Sequence, residues 1–200
     1  MLELNVNGSN VALNVAPATP LIFVLRNDLG LKSVRLGCGL EQCGACKVIV
    51  DGIVEYSCVR PAADFVGRQI TTVEGLADRL ADRLADGLAD GLADGLAEGS
   101  ADRLAVAPGR QSAPGDAARA RAWSALQQAV LKHNAAQCGY CLSGVLMAAT
   151  ALLARTAAPD DAAIRDALAD HLCRCGAQPR LLRAVREAAD ALGQRDAGAV

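Results

Sequence analysis

The chain has 200 residues, enough for one large or two small domains, and sets 20 Lys and Arg against 22 Asp and Glu. So even a balance offers no basic field to nucleic acid or anionic lipid, which removes both partner classes. One Trp, two Tyr and two Phe among many Ala, Leu and Val suit helices packed through small side chains better than a β-sandwich.

The first segment, residues 1–73, reads as a small α+β domain. Leu2, Leu4 and Val6 alternate with polar residues, Asn7-Gly8 supplies a tight hairpin turn, and Val11, Leu13 and Val15 alternate again. Thr19-Pro20 resembles an N-cap followed by proline at the first helical position, predicting a helix over Leu21 to Leu29 closed by Gly30. After a Gly- and Cys-rich loop, Val48 to Val50, an Asp51-Gly52 turn and Ile53 to Tyr56 predict a second hairpin, and Gln69 to Val73 a last strand. With strand alternation starting at Leu2 and no apolar leader, the reading expects no export signal and a cytoplasmic protein. The longest apolar run, Gly144 to Ala154, falls short of the ~20 residues that span a bilayer, so no membrane insertion is expected.

Residues 74–120 differ in kind. Leu recurs every four residues from Leu76 to Leu96 in tandem Leu-Ala-Asp-Arg and Leu-Ala-Asp-Gly units. A period of four drifts around a helix of about 3.6 residues per turn, and Gly87, Gly91, Gly95 and Gly99 weaken any helix further. This stretch is read as a low-complexity, solvated insert without chemistry, followed from residue 106 by linker. Residues 121–193 predict four helices: Trp123 to Asn134 with Leu126, Ala129, Val130 and Leu131 on one side, Leu142 to Arg155, Asp160 to Leu172, and Arg180 to Leu192 with Leu182, Val185, Ala189 and Leu192 inward. A four-helix bundle follows from short connections, and residues 194–200 read as a flexible tail.

Eight cysteines in such a chain point to metal ligation rather than disulfides. Cys38, Cys43, Cys46 and Cys58 stand as C-x4-C-x2-C with a fourth cysteine eleven residues on, the plant-type [2Fe–2S] spacing. Three thiolates converge from one loop and the fourth from the neighbouring hairpin, while Gly37, Gly39 and Gly44 let the backbone wrap closely at positive φ. Zinc is the alternative, but it favours two C-x2-C knuckles. Cys138-Gly-Tyr-Cys141 and Cys173-Arg-Cys175 form the second set. Alone, the C-x2-C pair also fits a redox dithiol or half a zinc site.

Gly37-Cys-Gly-Leu-Glu-Gln-Cys-Gly-Ala-Cys46, Gln137-Cys-Gly-Tyr-Cys141 and Leu172-Cys-Arg-Cys-Gly176 resemble the signatures of the iron–sulfur small subunits of the molybdenum hydroxylases, the family of xanthine dehydrogenase and aldehyde oxidoreductase. The resemblance implies a β-grasp ferredoxin-like domain followed by a helical [2Fe–2S] domain, and electron transfer rather than bond chemistry on this chain. It implies two [2Fe–2S] clusters, on Cys38, Cys43, Cys46 and Cys58 and on Cys138, Cys141, Cys173 and Cys175. It also implies a large molybdopterin-binding partner contacted by Gln137 and Cys175, with a FAD subunit or cytochrome as acceptor. A free-standing two-cluster ferredoxin is the alternative. Leu142-Ser143-Gly144 and Gly176-Ala-Gln-Pro-Arg180 depart from the commoner Thr-Pro-Gly and Thr-Gly-Tyr variants and resemble the nicotinate and isoquinoline branch, which tilts the substrate toward an N-heterocycle or aldehyde. His133 and His171 are not needed as ligands; His171 is expected to cap the third helix. Arg180, Arg183 and Arg186 share one helix side, read as a solvated face.

Overall fold

The computed structural model describes residues 1–77, 116–156 and 158–197. Most of the Leu-Ala-Asp repeat and of the linker read after it lies outside them, as do residues 198–200; residues 194–197, read as part of a flexible tail, instead continue the last helix.

Two short hairpins build the sheet: β1 (Leu2–Val6) with β2 (Ser9–Leu13), and β3 (Lys47–Val50) with β4 (Ile53–Tyr56). Both turns are those the sequence indicates. Asn7 and Gly8 lie at φ 54° and 83°, Asp51 and Gly52 at 49° and 86°, the paired positive values of a two-residue hairpin turn. β5 (Gln69–Thr71) sits between them, parallel to β1 and antiparallel to β3, giving the order β2-β1-β5-β3-β4. The strand stops at Thr71 rather than Val73, because residues 73–77 turn helical.

Helix α1 (Leu21–Phe23) crosses one sheet face and runs into a π-helical turn at Val24–Asp28. Leu21, Ile22, Val24 and Leu25 are all buried against Leu4, Val48, Val50 and Ile70. Pro20 is the N-cap itself, in extended conformation and without a side-chain cap, not the first helical residue. The cap is superfluous: Leu21 and Ile22 donate their amides to Arg60 O and Ser57 O on the loop around Cys58.

The second half holds α2 (Asp116–Lys132), α3 (Leu142–Arg155), α4 (Asp161–Leu168) and α5 (Gln178–Ala197), each packed on its neighbours as a four-helix bundle. α2 begins inside the stretch read as linker, since Ala120 and Ala122 form part of a buried face with Trp123, Leu126 and Ala129. That stripe leaves Leu131 exposed, contrary to the expected inward placement. On α5 it is Leu181 that is buried, with Leu182 only packed alongside. α4 ends at Leu168, capped at its start by Asp160, which accepts from Ala163 N; residues 169–172 form the loop leading to Cys173.

The two halves share a core. All four residues of β3 are buried, the pattern of a strand covered on both faces. Val48 and Val50 belong to the α1 side, whereas Ile49 joins the bundle core with Val54, Val73 and Leu76 against it or in it. Leu76, first leucine of the repeat, is therefore a core residue rather than part of a solvated stripe. Truncating Ile49 to Ala should destabilise the whole chain by about 2–5 kcal/mol, the cost of a cavity at such a position. Chemical denaturation followed by circular dichroism checks this; an unchanged midpoint would show that the seam between the halves does not contribute.

Candidate metal centres

Residues 33–46 lie between the helical turn after α1 and β3, and the loop is shaped by its own sulfurs. The amides of Leu40 and Gln42 each donate to Cys38 Sγ at 3.3 Å, and the Cys38 amide donates to Cys43 Sγ at 3.3 Å. Gly39 and Gly44 take positive φ, as does Glu41 at 56°, a residue type that carries no sign of such a conformation in sequence. Gly37 does not, and it is needed for space instead: a Cβ there would lie 2.5 Å from Cys43 Sγ. Cys58 follows β4, and Ser57 Oγ donates to Cys46 O at 2.7 Å, binding the fourth cysteine's loop to the third.

In the bundle, Cys138 and Cys141 precede α3, while Cys173 and Cys175 lie between α4 and α5. Their loops meet in a cleft lined by Gln137, Cys138, Cys141, Cys173 and Cys175. The Ala177 amide donates to Cys173 Sγ at 3.4 Å.

Protonation divides the thiols. Burial works to raise Cys38, but the amides of Gln42 and Leu40 and the Cys43 thiol outweigh it and bring Cys38 down to about 7. Burial lifts Cys46 to about 11 against a Ser57 amide hydrogen bond, and the adjacent Cys58 thiol adds to the rise. Burial and then the Cys173 thiol raise Cys141 to about 11. The Tyr140 amide, followed by the Cys175 thiol, lowers Cys138. Cys173 is lowered by the Ala177 and Cys175 amides, which exceed the opposing effect of burial. The thiols thus meet in pairs: Cys38 with Cys43, Cys46 with Cys58, Cys138 with Cys175, and Cys141 with Cys173. Among the described residues no group of three His, Cys, Asp or Glu is gathered as around one ion. Two thiols for each of two irons, with N–H groups turned to sulfur, is the donor set that a [2Fe–2S] cluster requires, and both sets fit it.

The two cysteine sets adjoin. Leu172 N donates to Cys43 O at 3.2 Å. A Cβ on Gly144 would lie 2.0 Å from Gly44 O, and one on Gly44 would lie 2.5 Å from His171 Cδ2. His171 is buried, its pKa pushed down to about 4 by burial and then by the Lys47 charge; its ring packs on Gly44 between the halves. Tyr140 OH donates to Leu36 O at 2.5 Å, and the Arg35 guanidinium stacks 5.4 Å from the Tyr140 ring centroid. That tie was not foreseen; an aromatic inside a cysteine loop is its only trace in sequence. His133 Nε2 lies 2.8 Å from Glu187 Oε2 and Arg186 pairs with Asp161, so neither belongs to a metal centre.

Comparison with known proteins agrees in both halves. Residues 4–74 match the model of a 2Fe-2S iron–sulfur cluster binding domain, and residues 115–186 that of a [2Fe-2S] binding domain. A nicotinate dehydrogenase subunit from Pseudomonas putida is 41% identical over 189 residues, 94% of each chain. The alpha chain of isoquinoline 1-oxidoreductase from Brevundimonas diminuta is 33% identical, over 94% of this chain and 97% of the relative. Among solved structures, a chain of quinoline 2-oxidoreductase from Pseudomonas putida 86 superposes with a TM-score of 0.68 at 26% identity, covering 96% and 95% of the two chains.

Replacing Cys58 by Ser should remove one of two [2Fe–2S] electron paramagnetic resonance (EPR) signals and about half the iron and sulfide; Cys173→Ser should remove the other. Loss of neither signal in either variant would overturn the ligand sets.

Proposed function

The chain belongs to the iron–sulfur small subunits of the molybdenum hydroxylases, and from that membership we propose how its residues divide the work of electron transfer. Cys138 and Cys175 would hold one iron and Cys141 and Cys173 the other in the bundle, on the side that would face a large molybdopterin-binding subunit. Cys38 with Cys43, and Cys46 with Cys58, would hold the second cluster, on the side that would face the acceptor. A [2Fe–2S] cluster supplies one-electron storage, one ferric iron becoming ferrous with no bond made or broken.

The observation that carries this reading is the Leu172 N to Cys43 O hydrogen bond. It joins the residue preceding ligand Cys173 to the backbone of ligand Cys43, so covalent bonds and one hydrogen bond link the two sets. Gln137 and Cys175 share the bundle cleft, and that placement supports their contacting the pterin. The acceptor is a FAD-containing subunit or a cytochrome. The substrate of the assembled enzyme is an N-heteroaromatic compound or an aldehyde, a class supported by relatives named for nicotinate, isoquinoline and quinoline. Residues 1–73 and 121–193 act as the two cluster-binding units, and neither contributes a group that reacts with substrate. No helix among the described residues is long and apolar enough to cross a membrane.

The purified chain, loaded with iron and sulfide, should accept two electrons from dithionite and show no hydroxylase activity. Activity should appear only with a copurifying molybdenum subunit. Substrate turnover by the isolated chain, or purification free of any such partner from its native cells, would overturn the proposal in favour of a free-standing ferredoxin.

A further inference from the structure

Lys47 follows Cys46 directly, and strand alternation turns it away from Val48 and Val50 toward the bundle, with Ile49. Its side chain is only 9% exposed. Its Nζ lies 3.3 Å from Asp170 Oδ2 and 5.0 Å from the ring centroid of Tyr56, its partner across the β3–β4 ladder. Tyr56 OH donates to the same Oδ2 at 2.9 Å. Asp170 stands three residues before Cys173, beside the His171 that packs on Gly44. The carboxylate, however, is 59% exposed.

As a stabilising device this pair is poorly made. Desolvating an ammonium is costly, and one ion pair to a solvated carboxylate with an approach to the face of the Tyr56 ring recovers only part of that cost. An apolar residue of similar length would pack the seam at least as well. What the arrangement does achieve is electrostatic. The positive charge is buried in low dielectric between the two cysteine sets, while the balancing negative charge sits in water and is screened. Each cluster is anionic when oxidised and gains one further negative charge on reduction, so a buried cation favours the reduced form.

We propose that Lys47 is a potential-setting residue: its buried charge raises the reduction potential of both clusters, that on Cys38, Cys43, Cys46 and Cys58 the more, and Asp170 moderates the effect from the solvent side. The inference rests on the ligand sets proposed above. The electron enters one ferric iron from dithionite, and no bond or proton changes.

The test is an EPR-monitored dithionite titration of the assembled holoenzyme, preceded by iron and sulfide analysis. If the wild type lacks two clusters, the ligand assignment fails and this inference with it. With both clusters present, Lys47→Met should shift the potentials negative, the ferredoxin-side cluster most, and Lys47→Arg should restore them. Asp170→Asn should shift them positive. Opposite signs are the signature of charge, because loosened packing would move both variants the same way. Unchanged potentials in Lys47→Met, or shifts of the same sign in both variants, overturn the proposal. Should Lys47→Met lose iron, Asp170→Asn alone decides, and the absence of a positive shift refutes it.

Discussion

The backbone contact between Gly44 and Gly144 is the constraint on which the rest of the molecule depends. Gly44 belongs to the first cysteine loop and Gly144 to the first turn of α3, directly after the second C-x2-C pair. A single methyl at Gly144 would overlap Gly44 O, and one at Gly44 would overlap the His171 ring and approach Asp170 O. The spacing of the two sets is therefore fixed by main chain against main chain. Electron tunnelling falls off exponentially with distance, so a spacing with no flexible side chain in it is worth more to a relay than to most proteins. The Leu172 to Cys43 hydrogen bond is a consequence of that closeness.

A contact so tight would open under thermal motion if the bodies behind it were independent. They are not, because the sheet is covered twice. α1 closes one face and α3 the other, and Ile49 of β3 and Leu76, from the first half of the chain, are buried in the bundle core. A polar clasp reinforces the point at which the chain leaves the sheet. Asn7 Nδ2 donates to Thr72 Oγ1 at 3.0 Å, Thr72 Oγ1 donates to Glu74 Oε2 at 2.6 Å, and Glu74 also accepts the Ser33 amide at 2.9 Å. Gly75 must be glycine there, since a Cβ would lie 2.1 Å from Asn7 Oδ1. Hydrophobic burial thus supplies the stiffness, and buried hydrogen bonds supply the register.

What could be read from sequence follows the same division. Features set by neighbouring residues were legible: the Asn-Gly and Asp-Gly turns, α3 to the residue, and a cysteine spacing whose loop geometry is local. The bundle was legible in four helical segments with short connections, whereas the β-grasp topology came with the family signatures, and the two domain matches and the solved relatives bear both out. Features that depend on chain segments far apart were not legible. Lys47 meets Asp170 across 123 residues, and Tyr140 meets Leu36 across 104. No periodicity announces such pairs. Pro20 lost its expected place because distant carbonyls at Ser57 and Arg60 already receive the helix's first amides. Leu131 was misplaced because a stripe drawn from hydrophobicity alone includes any leucine near its edge.

The thiols complete the argument for metal as a structural component. Cys46 and Cys141, buried and raised to about 11, resist ionising, whereas Cys38 at about 7 does not. Iron removes the proton from whatever thiol it binds, so the energy of ligation must exceed what burial opposes. Cys46 and Cys58 also pack within the α1-side core, alongside Val48 and Phe65. Their loops are consequently shaped by two demands at once, apolar packing and anion stabilisation. Those demands would be reconciled by a sulfur whose charge is shared with iron. A thiol buried this deeply beside a second thiol is poorly placed to ionise by itself and well placed to serve as an iron ligand.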